Sequence, residues 1–214
     1  MTVREVLDMA KFGELRNLKL GDSEEAAIVS YINLGLIELY KRFPLSIKET
    51  ILELGNTLGN EYTLPEDCMW LISAYGEVPE NQSKFRTYEL SINDENDPLS
   101  INTVGWNKVQ IPVTAVGAYV SLIYAASPDS TERVTYDENG DYKDENIALP
   151  VQLIEPLLFY IGYRAHGAMD GNIQSESNTH YIRFDKSCEK IKTEGMFTND
   201  DMNMRYRVSE RGFV

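Results

Sequence analysis

"PVQLIEPLLFYIGYRAHGAM", residues 150–169, decides how the rest of the chain is read. It is apolar nearly all round. A helix of that kind has no face to leave in water, so it is either the central helix of a bundle or an interface helix. Pro156 has no amide hydrogen to give to the helix ladder, and it either kinks this helix or resets its start.

The segments on either side supply helical neighbours. After the "DGN" break, Tyr181, Phe184, Cys188 and Ile191 recur as one narrow stripe opposite Arg183, Lys186, Glu189 and Lys190. That pattern predicts a helix packed on one side only, ended by Gly195 where a left-handed cap is preferred. At the start of the chain, Thr2 and Glu5 have the spacing of a capping box, followed by Val3, Val6, Leu7 and Ala10 at helical intervals. Gly13 and "NLKLGD" end or bend this short helix.

Ser23 then opens a second helix, with Glu24 and Glu25 in the first turn where the dipole favours anions. It runs to Phe43 and stops at Pro44. Ile28, Ile32, Gly35, Leu39 and Phe43 form its stripe, widened by Val29, Leu36 and Tyr40. Tyr31, Leu34 and Ile37 fall outside that stripe, among polar residues. They call for a second packing partner, either another helix of the chain or a neighbouring subunit.

Between the helices the pattern changes to short alternating runs. "SIKETILEL", "EYTLP" and "MWLISAY" read as strands, and "NKVQIPV" and "AYVSLIYAA" as a strand pair. Val109, Ile111 and Val113 share one face of the first of that pair; the second is apolar on both faces and is expected to be covered on both. "NDENDP" at 93–98 is a polar loop, and Asn139-Gly140 predicts a small acidic hairpin. The expected fold class is therefore α+β. Residues 1–45 and 149–195 form a bundle of two N-terminal and two C-terminal helices, 46–148 an inserted antiparallel β-rich region, and 196–214 an extended arm.

With 214 residues, 43% hydrophobic and 25% charged, the chain has the makeup of a soluble globular protein of one or two compact units. "MTVREVLDMA" has acids and no apolar core, so no secretory signal is expected. The longest nearly uncharged stretch, Gln110 to Ser127, is broken by Pro112, and no membrane span is expected. Cys68 and Cys188 stand far apart and are read as reduced thiols. The net charge is −14, and no Lys/Arg run exceeds the "KR" at 41–42. Gripping nucleic acid takes a basic stripe against a phosphate charge about every 1.7 Å, which excludes that class. An acidic surface serves solubility, or keeps DNA from sticking.

Motifs for catalysis are missing: no GxSxG, HExxH, phosphate loop or dinucleotide fingerprint occurs. His166 and Asp170 sit one helical turn apart, but zinc takes at least three protein ligands. "DENGDYKDE" has Tyr142 and Ala148 where a calcium loop needs Gly and Glu. Cys188 and His180 share a helix without a third partner. The carboxylates show no spacing that marks an acid–base pair. No catalytic residue, cofactor or metal is assigned, and the expectation is a protein that is not an enzyme. The 13 tyrosines, several on apolar faces, have the composition of an interface.

The order of these segments resembles the head-to-tail adaptor proteins, or connector ring proteins, of short-tailed bacteriophages. The resemblance rests on Tyr62-Thr63-Leu64-Pro65-Glu66-Asp67, on Tyr124-Ala125-Ala126-Ser127-Pro128, and on the run from Leu149 to Ala165, and spans residues 2–195. The hairpin at 136–146, "SINDENDPLS" and Pro156 depart from the pattern. The resemblance implies a structural virion protein forming a closed homo-oligomeric ring of about a dozen copies beneath the portal protein. Such a ring extends the channel through which double-stranded DNA passes without specific binding, and offers a platform to a downstream tail protein. It implies a place in the virion neck, with assembly in the host cytoplasm, and no membrane partner. A stopper or tail-tube ring, an acidic DNA mimic and a hydrolase using paired carboxylates remain the alternatives.

The last 19 residues, "MFTNDDMNMRYRVSERGFV", fit the same picture. Extended, they reach roughly 60 Å, more than a domain diameter. Arg205 and Arg207 would pair with acidic surface, and Met202, Met204, Tyr206 and Phe213 would insert into grooves of the portal or a neighbour. With Tyr31, Leu34 and Ile37 they make up the expected interface.

Overall fold

The structure, a computed structural model, describes residues 1–18, 22–55, 60–81, 84–112, 119–128, 134, 137–139, 143–144, 146–147, 149–169 and 174–195. The fold is α+β, with four α-helices and antiparallel sheets among the described residues. It divides into two units, Met1–Phe43 with Pro128 onward, and Pro44–Ser127.

The first unit is helical. Helix α1, Val3–Phe12, starts on the expected capping box: the Glu5 amide donates to Thr2 Oγ1 at 3.2 Å, and the Thr2 amide to Glu5 Oε2 at 2.8 Å. Helix α2, Asp22–Arg42, buries Ile28, Val29, Ile32, Leu36, Leu39 and Tyr40, the stripe its spacing predicts. Helix α3, Ile154–Met169, is the central one and touches the other three. Pro156 resets its start rather than kinking it. A 3-10 turn at Val151–Leu153 leads in, and Pro156 occupies the first helical turn, where amide hydrogens lack helical partners anyway. Gly35 brings α2 close to α3: a Cβ there would lie 2.5 Å from Leu157 Cδ1 and 3.2 Å from Tyr160 Cδ1.

Helix α4, Gln174–Thr193, packs on one side through Ser177, His180, Phe184, Cys188 and Ile191. Tyr181, expected in that stripe, is 41% exposed. The seam runs 177, 180, 184, 188, 191, and Tyr181 stands one residue off it. Gly195 closes the helix with φ 69°, its amide donating to the Lys192 carbonyl at 3.1 Å.

Segment 128–148, expected with the strands, belongs to the helical unit. Among the described residues, bonds at Val134, Asp144 and Ile147 hold it there. The Asn33 side chain donates to the Val134 carbonyl at 3.1 Å and accepts from the Val134 amide at 2.8 Å. Further on, the Ile147 amide donates to the Met1 carbonyl at 2.8 Å. The turn expected near Asn139 is present at Glu138–Asn139, where the Asn139 amide donates to Asp137 Oδ1. No strand flanks it among the described residues, and Gly140 lies outside them.

Among its described residues the second unit holds seven strands in two antiparallel sheets. Strands β1 (Ile47–Glu53), β7 (Tyr119–Ala126), β3 (Cys68–Asn81) and β4 (Lys84–Leu90) form one in that order. The other is β2 (Glu61–Thr63), β6 (Lys108–Gln110) and β5 (Asn102–Gly105). One apolar core joins Ala74, Val120 and Leu122 of the larger sheet to Val109 of the smaller, with Leu64, Ile101 and Ile111 beside them. β7 is covered on both faces, as its sequence requires: residues 120–126 are all buried.

Strands β6 and β7 do not pair, contrary to expectation. β6 lies between β2 and β5, and β7 between β1 and β3. β6 is three residues long and runs into Pro112, which has no amide to extend a ladder. β7, at eight residues, instead finds two longer partners. Val113 lies outside the described residues.

The segment from Tyr62 to Asp67 leads from β2 to β3 and fastens the larger sheet. Leu64 is buried, and Asp67 accepts from Lys48 Nζ of β1 at 2.8 Å and from the Tyr124 hydroxyl of β7 at 3.2 Å. Burial pushes the Asp67 carboxyl up, but Lys48 and the hydrogen bonds outweigh it and hold it below the usual range. The loop at 93–98 is tied to β5: Asn93, at φ 53°, accepts through Oδ1 from both the amide and the hydroxyl of Thr103 at 2.8 Å.

Candidate interface surface

Helices α2, α3 and α4 present a band of aromatic rings alternating with arginines. It starts at Tyr31, whose ring centre lies 6.0 Å from the Arg164 guanidinium carbon. Arg164 is equally 6.0 Å from the ring of Tyr163, so one cation joins rings from two helices. Tyr163 meets Tyr181 of α4 at 5.1 Å, and Tyr181 meets Phe184 at 6.1 Å. Beneath them Tyr160 packs edge-on against Phe184 at 5.3 Å. Such ring pairs add about 0.5–1.5 kcal/mol beyond their buried area, and a cation over a ring adds about as much.

Arg42 closes the band. Its guanidinium stands 4.5 Å above the Phe184 ring and donates to Asp185 Oδ1 at 2.7 Å, so α2 and α4 are fastened by charge as well as stacking. Burial works against the Arg42 cation, but Asp185 and nearby groups outweigh it and raise the pKa above its usual value. Tyr160 ionises above the usual range, first because it is buried and then because Glu38 adds negative charge, with Arg164 pulling the other way.

Of the residues expected at an interface, Tyr31 is half-buried against Arg164, Ile37 is half-buried, and Leu34 is 40% exposed. Tyr31 and Leu34 are three apart on α2 and so lie side by side on its surface. The partner of Tyr31 is thus another helix of the same chain, while Leu34 keeps its apolar surface outward. Met202, Met204, Arg205, Tyr206, Arg207 and Phe213 lie outside the described residues. Within the band Tyr181 stays 41% exposed, and Ile182, on the side of α4 away from its buried seam, is 52% exposed.

The exposed apolar residues of the second unit escape sequence patterning. Trp106, in the turn between β5 and β6, is 81% exposed, and Val104 and Ile51 are about half exposed. A turn tryptophan and a β5 exposed at every position leave no hydrophobic period to read.

The groups weighed for chemistry fall apart in space or into packing roles. Cys188 is buried beside Arg42, and burial lifts its thiol to about 11. His180 points instead to Glu14 and His166. Asp170 lies outside the described residues. Among the described residues, no group of three or more His, Cys, Asp or Glu is placed to hold a metal ion, and no helix is long and apolar enough to cross a membrane.

No protein-family model matches this chain, and neither does any curated protein. Among solved structures, one similar chain comes from the neck of an empty GTA particle computed with C6 symmetry. The two are 13% identical, the match covers 83% of this chain and 87% of that one, and the TM-score is 0.28. A superposition that loose carries no argument about shared function.

Proposed function

We propose that this protein is a structural subunit of a phage-like particle. In this reading identical copies close into a ring between head and tail, beneath the portal, where they extend the DNA channel and seat a tail component. The role is mechanical: the subunits contribute surfaces rather than a catalytic group. The observation that carries it is the band of Tyr31, Tyr163, Arg164 and Tyr181, left partly open, together with Leu34 and Ile182 exposed on α2 and α4. Tyrosine and arginine next to aliphatic surface make up the centres of protein interfaces, and among the described residues no element of the helical unit covers Leu34 or Ile182. The order of motifs from Tyr62 to Ala165 supports the same reading. An acidic chain suits a channel wall, because like charge keeps DNA sliding.

Light scattering after size exclusion tests this, on the protein alone and mixed with the portal of its particle. A ring, or a monomer that forms a ring only on the portal, is the expected result. Leu34→Glu places a charge in the contact and should abolish assembly while leaving the monomer folded. Truncation after Gly195 should likewise leave the body folded and remove portal docking, if the last 19 residues act as an anchoring arm. A wild-type chain that stays monomeric at high concentration beside the portal overturns the proposal.

A further inference from the structure

The chain's two histidines come together at one place. His166 of α3 and His180 of α4 stack with ring centres 4.8 Å apart and planes 17° from parallel. They are 1% and 8% exposed. Both are held by Glu14, in the connection after α1. His166 Nε2 lies 3.0 Å from the Glu14 backbone oxygen, which only accepts, so this nitrogen carries the proton. His180 Nδ1 lies 3.0 Å from the Glu14 carboxylate.

The pair forms one wall of a cavity of about 440 Å³. Arg16 and Asn17 line it from the α1–α2 connection, and Thr179 and Arg183 from α4. Among the described residues that line it, the charged and titratable groups are two arginines, two imidazoles and one carboxylate, a cationic balance in a chain of net charge −14. Glu14 engages His180 closely and Arg183 only at 3.9 Å, and Arg16 forms no ion pair with a described residue. The arginines at the mouth therefore have bonding capacity that Glu14 does not use.

We propose that this pocket binds the carboxylate of an acidic peptide segment from a partner protein. The carboxylate would sit between Arg16 and Arg183, since a guanidinium offers paired donors matched to a carboxylate. Asn17 would bond the adjoining peptide backbone. Volume favours a peptide over a free inorganic anion: about 440 Å³ is within the size range of small-ligand sites, and one phosphate would leave most of it empty. The proposal does not depend on ring assembly.

Because both histidines line this cavity, imidazole NMR signals of the full-length chain report on it with no other histidine to interfere. The probe is an acetylated, amidated hexapeptide of glutamate and glycine, with inorganic phosphate and a neutral glutamine version of the peptide in parallel titrations. Saturable movement of both imidazole signals by the acidic peptide alone is the expected result. Arg16→Gln, at an exposed position, should weaken binding at least tenfold while the urea midpoint stays unchanged. Saturation by phosphate with the peptide inert reassigns the pocket to inorganic anions and overturns the peptide assignment. Equal response to the neutral peptide, or an unaltered affinity in Arg16→Gln, overturns the site itself.

Discussion

Gly162 of α3 is the surface against which the His180 ring of α4 lies: a Cβ at 162 would stand 2.9 Å from His180 Nδ1 and 3.1 Å from Cγ. The absent side chain admits the imidazole that Glu14 and His166 hold in place. Elsewhere in a helix, replacing glycine with alanine gains about 1 kcal/mol of propensity. Here the added methyl meets a ring stacked on His166, and overpacking of that kind costs about 1–3 kcal/mol. Gly162→Ala should therefore be destabilising in urea unfolding, and it should shift the His180 imidazole signals. A gain in stability would show that α3 and α4 part freely at this point.

The contrast between Gly162 and the apolar stripes shows what the sequence made legible. The helices were readable because burial leaves a period: Val3, Val6, Leu7 and Ala10 are all buried, as is the Ile28 to Phe43 stripe. The same holds for β7, apolar on both faces because it is interior. Strands β4 and β5 carry no such mark. β5 is exposed at every position, and "KFRTYEL" mixes charge into both alternating sets. The separation of β6 from β7 is a tertiary matter that alternation does not encode. At the candidate surface, Leu34 and Tyr31 stood out by falling off the stripe. The stacking of His166 on His180 could not be foreseen, because the two belong to different helices and meet only when those helices pack.

Acid should weaken the strand unit through Asp67. Its carboxyl is held below the usual range in the folded chain, so its contribution is fully present above the unfolded value of about 4 and fades as pH falls through the folded one. Asp67→Asn should cost about 1–2 kcal/mol near neutral pH, the range for a partly screened hydrogen bond to a charge. That difference should shrink toward zero as pH falls through the folded value and the wild-type group itself becomes neutral. Urea midpoints of both proteins across pH 2–7 check this, and a constant offset would assign the cost to shape rather than charge. At the alkaline end the sign reverses. Burial and then Asp67 push Tyr124 up to about 12, so its contribution holds below the ordinary tyrosine range and is lost as pH rises through that value.

The thiols should be slow. Burial raises Cys68 to about 11, helped by the charge of Asp67, and raises Cys188 to about 11 against the pull of Arg42 and Lys192. At neutral pH each then carries about a hundredfold less thiolate than an ordinary cysteine. Native protein mixed with a disulfide reagent at pH 7.5 should release little chromophore over minutes, while urea-unfolded protein should release two equivalents at once. Cys188, wholly buried, should react at the rate of unfolding, and half-exposed Cys68 sooner. Immediate labelling of Cys188 in the native state would mean that α4 opens away from Arg42.

Asn33 and Val134 provide the sharpest test of how the segment after the strands is fixed. The amide of Asn33 both donates to and accepts from the Val134 backbone, at 3.1 and 2.8 Å, in the manner of a paired strand. Val134 is 5% exposed, so its peptide groups have little access to water as a substitute. Asn33→Leu leaves a donor and an acceptor unsatisfied together, and each such group costs about 1–3 kcal/mol when buried. Asn33→Asp keeps, and by its charge strengthens, the acceptor for the Val134 amide while setting its second oxygen against the Val134 carbonyl, so its loss should be smaller than that of the leucine, which satisfies neither group. Unfolding in urea should therefore rank wild type above Asn33→Asp, and that above Asn33→Leu. Hydrogen exchange at the Val134 amide separates the local effect from the global one. It should be slow in wild type and in Asn33→Asp but fast in Asn33→Leu, because only the leucine takes away the oxygen that holds that hydrogen.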